Sequence, residues 1–213
     1  MANLINITNV LGAIDTNCYT VANTDTREAI IIDPAGGASF LEDLYKNQNL
    51  KPVAILLTHG HHDHIGAVPG LRERYPDIKV YAARAEEKLL ANPNMNLSQM
   101  FGQMLTVKPD ELLDDGQILE MLGTKIKCML TPGHTEGGMC FYIEEMKTVY
   151  AGDTLFMGSF GRTDFPTGDE DALMHSIRDI LFKLPEDTIV YPGHYARTTI
   201  GAEKENNPCN FYF

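Results

Sequence analysis

Four histidines and an aspartate occupy the six positions from His59 to His64, at the end of "LLTHGHHDH" (56–64). Imidazole and carboxylate are the side chains that hold zinc, iron or manganese and that move protons near neutral pH. Three later segments end in the same residue types: "MLTPGHTEGG" (129–138), "VYAGDTL" (149–155) and "IVYPGHY" (189–195). In these three a glycine stands immediately before the candidate ligand: Gly133 before His134, Gly152 before Asp153 and Gly193 before His194. Glycine lets a chain turn sharply where a strand ends and lets backbone come close, so that the next side chain can enter a shared site.

Five of the seven histidines belong to this set, His62 and His175 being the exceptions. Alternate residues of an extended turn face the same way, so His59 and His61 can reach one ion while Gly60 and His62 point elsewhere. Asp63 and His64 then open a helix and can reach a second. Seven candidates (His59, His61, Asp63, His64, His134, Asp153, His194) exceed what one tetrahedral ion takes, and two ions sharing Asp153 would use them all. The absence of cysteine from these positions argues against a purely structural zinc site. Burying so many polar groups together without ions would leave several unpartnered. His62 is expected to face backbone or solvent, and His175 the polar side of its helix. Asp33, ending "IIID", either caps the turn before Pro34 or accepts a hydrogen bond that orients a ligand histidine.

The elements that must carry these residues follow from hydrophobic patterning. Strand-like runs cover 28–33, 53–58, 78–82, 125–130, 139–144, 148–152 and 188–193, and helical patterns cover 39–49, 65–75 and 169–184. In the last, Leu173, Ile177, Ile180, Leu181 and Leu184 form one apolar stripe. Continuous apolar strands among helices predict an α/β domain whose sheets are covered by helices. The stretch 92–110, rich in Asn, Gln and Met, is expected to be an irregular connection with Met as filler.

At 213 residues and 44% hydrophobic content the chain suits one domain spanning 1–213. A formal charge of -12 without a basic block disfavours nucleic acid as a partner. No stretch approaches the ~18 apolar residues of a membrane span, and the start lacks the pattern of a signal peptide, so a cytoplasmic location is expected. Cys18, Cys128, Cys140 and Cys209 form no C-x-x-C pair and read as four reduced, buried thiols.

The run His59-Gly60-His61-His62-Asp63-His64 resembles the H-x-H-x-D-H signature of the metallo-β-lactamase superfamily, and His134, Asp153 and His194 follow in the matching order. The resemblance covers nearly the whole chain and implies a four-layer αββα sandwich. "AGDTLFMGSFGRTDFPTGD" and "VYPGHYARTTIGAEKENNP" are most similar to the small glyoxalase II-like (hydroxyacylglutathione hydrolase-like) metallo-hydrolases. That likeness implies that His59, His61 and His134 hold one divalent ion and Asp63, His64 and His194 a second, with Asp153 between them. Zinc is the expected metal, with iron or manganese as alternatives, and Asp63 is the candidate catalytic residue. The implied activity is hydrolysis of a small thioester such as S-lactoylglutathione, by a monomer or small homo-oligomer. Arg162 in "GRTDF" matches a substrate-contacting position of the family, with a loop salt bridge as its alternative role; Tyr142 and Tyr195 are candidate pocket walls. In full-length relatives a C-terminal helical domain supplies glutathione contacts, whereas here residues 195–213 alone follow His194.

The nearest rival by resemblance is a mononuclear iron persulfide dioxygenase, which shares the motif and a "GRTDF" stretch and uses residues matching His59, His134 and Asp153. The segment "TTIGAEKENNP" favours the hydrolase. β-Lactam and RNA hydrolysis rank lower, the first for want of a signal peptide and the second for want of basic surface. A non-catalytic scaffold would be expected to have lost ligands, and all seven are present.

Overall fold

The computed structural model describes residues 2–212. In chain order, the first half consists of β1 (Leu4–Leu11), β2 (Thr16–Asn23), β3 (Glu28–Ile32), α1 (Ala38–Asn47), β4 (Lys51–Leu56), α2 (His62–Ile65), α3 (Val68–Arg74), β5 (Lys79–Ala83), α4 (Glu87–Leu90) and β6 (Glu111–Leu113). Its six strands form one sheet in sequential order, antiparallel from β1 to β3 and parallel from β3 to β6. The second half adds β7 (Ile118–Met121), β8 (Thr124–Leu130), β9 (Met139–Ile143), β10 (Thr148–Gly152), a ribbon of β11 (Leu155–Phe156) and β12 (Ser159–Phe160), α5 (Glu170–His175), β13 (Ile189–Pro192), β14 (Thr198–Thr199) and α6 (Ile200–Asn206). These give a second sheet ordered β14-β13-β10-β9-β8-β7.

Side-chain alternation explains the layers. In β3, Ile30 and Ile32 enter the core between the sheets, where they meet Phe141, Ile126 and Tyr150, while Ile31 faces Leu41 and Tyr45 of α1. The second sheet repeats this: Phe141 points inward, and Cys140 and Tyr142 point outward to Leu173 and Ile177. Strands buried on both faces must be apolar at successive positions, which is why they read as continuous runs. Helix, sheet, sheet, helix is the expected αββα order.

Several expected elements differ in detail. The helix expected over 65–75 breaks at Gly66, where a Cβ would strike the carbonyl of Ala35, and resumes as α3. The helix expected over 169–184 starts as a capped α-turn, Asp169 accepting from Ala172 N at 2.9 Å. It then widens to π geometry over Ser176–Ile180 and tightens over Leu181–Lys183. Leu173, Ile177 and Leu181 are all fully buried along it. The 92–110 connection is irregular apart from one turn at Ser98–Phe101, but two of its three methionines are not filler: Met100 and Met104 are 71% and 73% exposed. β1 and β2, which the patterning missed, carry Thr and Asn within otherwise strand-like sequence. All four cysteines are buried and free.

Candidate metal centre

The strand ends β4, β10 and β13 and the turn after β8 converge at one edge of the two sheets. β10 and β13 are adjacent and parallel, so Asp153 and His194 leave neighbouring strands at the same end. Gly133 has φ +134, and a Cβ on it would overlap the backbone of Leu173; this close approach to α5 sets where His134 emerges. All seven expected residues are brought together. Ligand atoms of His59, His61 and His134 lie within 4.8 Å of one another, as do those of Asp63, His64 and His194, and those of His59, His64 and Asp153. The Asp153 carboxylate faces both triads: Oδ1 lies 3.4 Å from His64 Nε2, and Oδ2 lies 3.5 Å from His134 Nε2 and 3.6 Å from His194 Nε2.

The outer nitrogens of three rings are held by acceptors. His134 Nδ1–H donates to the Arg162 carbonyl at 2.7 Å, and His64 Nδ1–H to Asp33 Oδ2 at 2.9 Å. Asp33 also accepts from the amide and hydroxyl of Thr58, at 2.8 and 2.6 Å, which leaves that hydroxyl's lone pair for His59 Nδ1–H at 3.2 Å. Each ring therefore turns its Nε2 to the interior, where that of His134 meets His61 Nδ1 at 2.9 Å. Asp33 thus fills the orienting role and not merely a turn cap. Its backbone, at φ 50, suits Asp or Asn. Replacing Asp33 by Asn keeps that backbone but puts an amide N–H against one of three donors. Metal affinity is expected to fall about 10- to 100-fold, readable by competition with a chromogenic chelator.

Whether the cage fits metal ions can be judged from its unpartnered atoms. His59 Nε2, His61 Nε2, His64 Nε2 and Asp153 Oδ1 are buried without a hydrogen-bond partner, although buried polar atoms are nearly always satisfied. Cations are the partner these donor atoms call for.

Electrostatics agree. Burial, reinforced by neighbouring histidines, holds His59 far below the ordinary histidine value and His61 down to about 3, so both are neutral lone-pair donors. Burial opposes the charge on Asp63, but His64 and hydrogen bonds from His194 and His64 hold its carboxyl well below the carboxylate range. Asp153 is likewise depressed to about 2, against its burial, chiefly by His64. Despite burial, Asp63, Asp153 and Asp33 raise His64, and Asp63 and Asp153 raise His194. Those two rings must release protons to ligate, so cation binding weakens with acidification.

Other expected site residues divide. Tyr195 and Arg162 line the cleft over the cage. Arg162 also makes the loop salt bridge, binding Asp164 through Nε and Nη2 at 2.6 Å each, with its guanidinium 3.9 Å from the centre of the Phe165 ring. Tyr142 is not a pocket wall: strand alternation turns it to the helix face of β9, among Val149, Leu173 and Ile177. His62 does not face solvent but stacks on Phe101, ring centres 3.9 Å apart. His175 is exposed and pairs with Asp179 at 2.7 Å.

The sequence reading missed several supports. Thr16 donates to Asp63 Oδ2 at 3.0 Å, and Asn17 Nδ2 donates to the carbonyls of Pro192 and Tyr195, both at 2.9 Å, pinning the His194 turn to β2. Glu86, fully buried, accepts from Gly60 N at 2.9 Å and Thr135 Oγ1 at 3.1 Å, with the Gly137 amide also in reach, and so ties the His59–His61 turn to the His134 turn. Burial pushes its carboxyl up to about 7 against those three donors. In "ARAEEKLL" it reads as one of several solvated charges, and no local signal separates it. Glu86→Gln sets an amide N–H against a donor; a loss of about 1–3 kcal/mol is expected, measured by urea unfolding.

The family model of the metallo-beta-lactamase superfamily matches residues 11–194, and the chain belongs to that superfamily. It is 38% identical over 200 residues to a probable metallo-hydrolase, YqgX, of Bacillus subtilis (strain 168), covering 93% of each chain. It is 37% identical to the hydroxyacylglutathione hydrolase GloC of Haemophilus influenzae, covering 92% of this chain and 93% of that one. Among solved structures it resembles the B3 metallo-beta-lactamase BLEG-1 (TM-score 0.90, 40% identity, 96% and 98% covered) and TTHA1623 in a di-iron-bound form (0.84, 35%, 95% and 98%). It also resembles ETHE1 from Myxococcus xanthus (0.79, 28%, 95% and 83%).

Proposed function

We propose that this protein is a binuclear metallo-hydrolase that cleaves small acyl thioesters. The observation that carries the reading is the pair of ligand triads meeting at Asp153, in a chain 37% identical to a hydroxyacylglutathione hydrolase. His59, His61 and His134 would hold one divalent ion and Asp63, His64 and His194 the other, zinc foremost, with iron also suited to the donor set. Bound ions of this kind supply Lewis acidity and lower the pKa of a water to about 7.

The chain's own groups do the rest. Asp33, Thr58 and the Arg162 carbonyl keep three imidazoles in the tautomer that faces inward. Asp63, held ionised, accepts from Thr16 Oγ1 at 3.0 Å, which fixes it as an anionic donor atom beside His64 and His194 and not as a source of protons. Phe101, Phe156, Phe160 and Phe165 line the cleft over the cage and would screen the acyl carbon from bulk water. A departing thiol with a pKa near 8.5 leaves as thiolate with little protonation, so no protein acid is needed.

A second reading, a mononuclear iron persulfide dioxygenase, draws support from the likeness to ETHE1. The test is thiol release from S-lactoylglutathione and simpler thioesters by metal-stripped and reloaded protein, beside oxygen uptake with glutathione persulfide. Metal-dependent thiol release without oxygen uptake supports the hydrolase. Oxygen uptake without hydrolysis reverses the order.

A further inference from the structure

We propose that the cleft selects thioesters whose acyl and thiol arms are neutral and apolar, aromatic ones above all, over conjugates of an anionic thiol such as glutathione. The inference rests on the hydrolase reading and concerns what that site accepts.

The cleft encloses about 490 Å³, enough for a small-molecule ligand. The cage forms its floor, and Ile14, Leu97, Phe101, Phe156, Phe160 and Phe165 supply most of its walls. The rings meet the floor directly. Phe101 stacks on His62, Phe165 stands edge-on to His61 with centres 5.8 Å apart, and Phe156 stands edge-on to His194 at 6.1 Å. Large apolar side chains also gather in the open at the mouth, where Met100, Phe101 and Tyr195 are 71%, 49% and 71% exposed. Apolar surface held in water at the rim of a polar floor is the signature of a site that gains from apolar ligand surface.

Charge points the same way. Glutathione carries two carboxylates and one ammonium, and a site that selects it must answer those carboxylates. Among the described residues lining the cleft, Arg162 is the single lysine or arginine, and its guanidinium is already engaged by Asp164. The adjoining groove beyond Ile14 and Tyr195 adds Val10, Asp15 and Asn17, again without a lysine or arginine. An anionic thiol arm laid along that groove would meet a carboxylate. A neutral arm would meet Val10 and Ile14.

The reaction is ordinary hydrolysis. Water adds to the acyl carbon, the C–S bond breaks with its electron pair going to sulfur, and the products are a carboxylic acid and a thiol.

The test holds the acyl group constant and varies the thiol. Metal-loaded protein is given phenylacetyl-N-acetylcysteamine and phenylacetylglutathione, with acetyl-N-acetylcysteamine as the small-acyl control. Expected is a kcat/KM at least about tenfold higher for the neutral phenylacetyl thioester than for either of the others, in line with the discrimination apolar contacts provide. Phe101→Ala is expected to raise KM for that substrate about tenfold, with kcat lowered by less than KM is raised; Met100→Ala serves as a second rim variant. Preference for the glutathione conjugate, or equal rates for phenylacetyl and acetyl, overturns the inference while leaving the hydrolase intact. Hydrolysis of none of the three, and none of S-lactoylglutathione, overturns the hydrolase reading itself.

Discussion

Asp153→Asn is expected to lower metal content from about two ions per chain to one or fewer and to cut kcat/KM by about 10³-fold or more. Among the described residues this is the one carboxylate whose two oxygens face both triads, Oδ1 toward His64 and Oδ2 toward His134 and His194. An amide keeps one acceptor and turns an N–H toward the other side, where a cation or an imidazole lone pair would lie. Lewis-acid and water-activating chemistry are lost together when an ion leaves, which is why the effect exceeds that of an orienting residue such as Asp33. Metal analysis and steady-state kinetics on the same preparation check it. Unfolding by urea is the control, because removing charge from Asp153 also removes a counter-ion to raised His64.

The second large effect is expected at a residue with no functional group. Gly193 precedes His194, and a Cβ there would overlap Asp153 Oδ1 and lie 2.6 Å from His64 Cε1. Its backbone needs no left-handed conformation, so Gly193→Ala acts through space alone. Overpacking of this kind costs about 1–3 kcal/mol, and here the strain falls on two ligands. Metal content and activity are expected to drop nearly as far as in Asp153→Asn, while the unfolding midpoint shows the smaller overpacking cost. Wild-type metal occupancy in Gly193→Ala would show that the cage tolerates displacement.

These two positions show why the centre was legible before the fold. Ligand types, their strand-end placement and the glycines before them are local features, and they identified the seven residues and the strands that carry them. The αββα order followed the family likeness, and the apolar runs are consistent with it because each central strand is buried on both faces. What escaped was non-local. Asn17 and Thr16 hold the far side of the site from β2, and Glu86 bridges two turns from a charged stretch to which the patterning assigned no element. The cleft walls escaped for the same reason: Ile14, Phe101, Phe156 and Phe165 are single residues on four separate loops or short strands, sharing no period. Tyr142 shows the converse error. Its type suited a pocket, but one step of strand alternation from Phe141 sends it to the opposite layer.

The central claim is that the two triads hold two ions. Metal per chain, by mass spectrometry on protein purified without chelator or affinity-tag metal, tests it most directly. The account predicts close to two divalent ions per chain. Close to one, with His64→Ala and His194→Ala leaving that value unchanged, would contradict it.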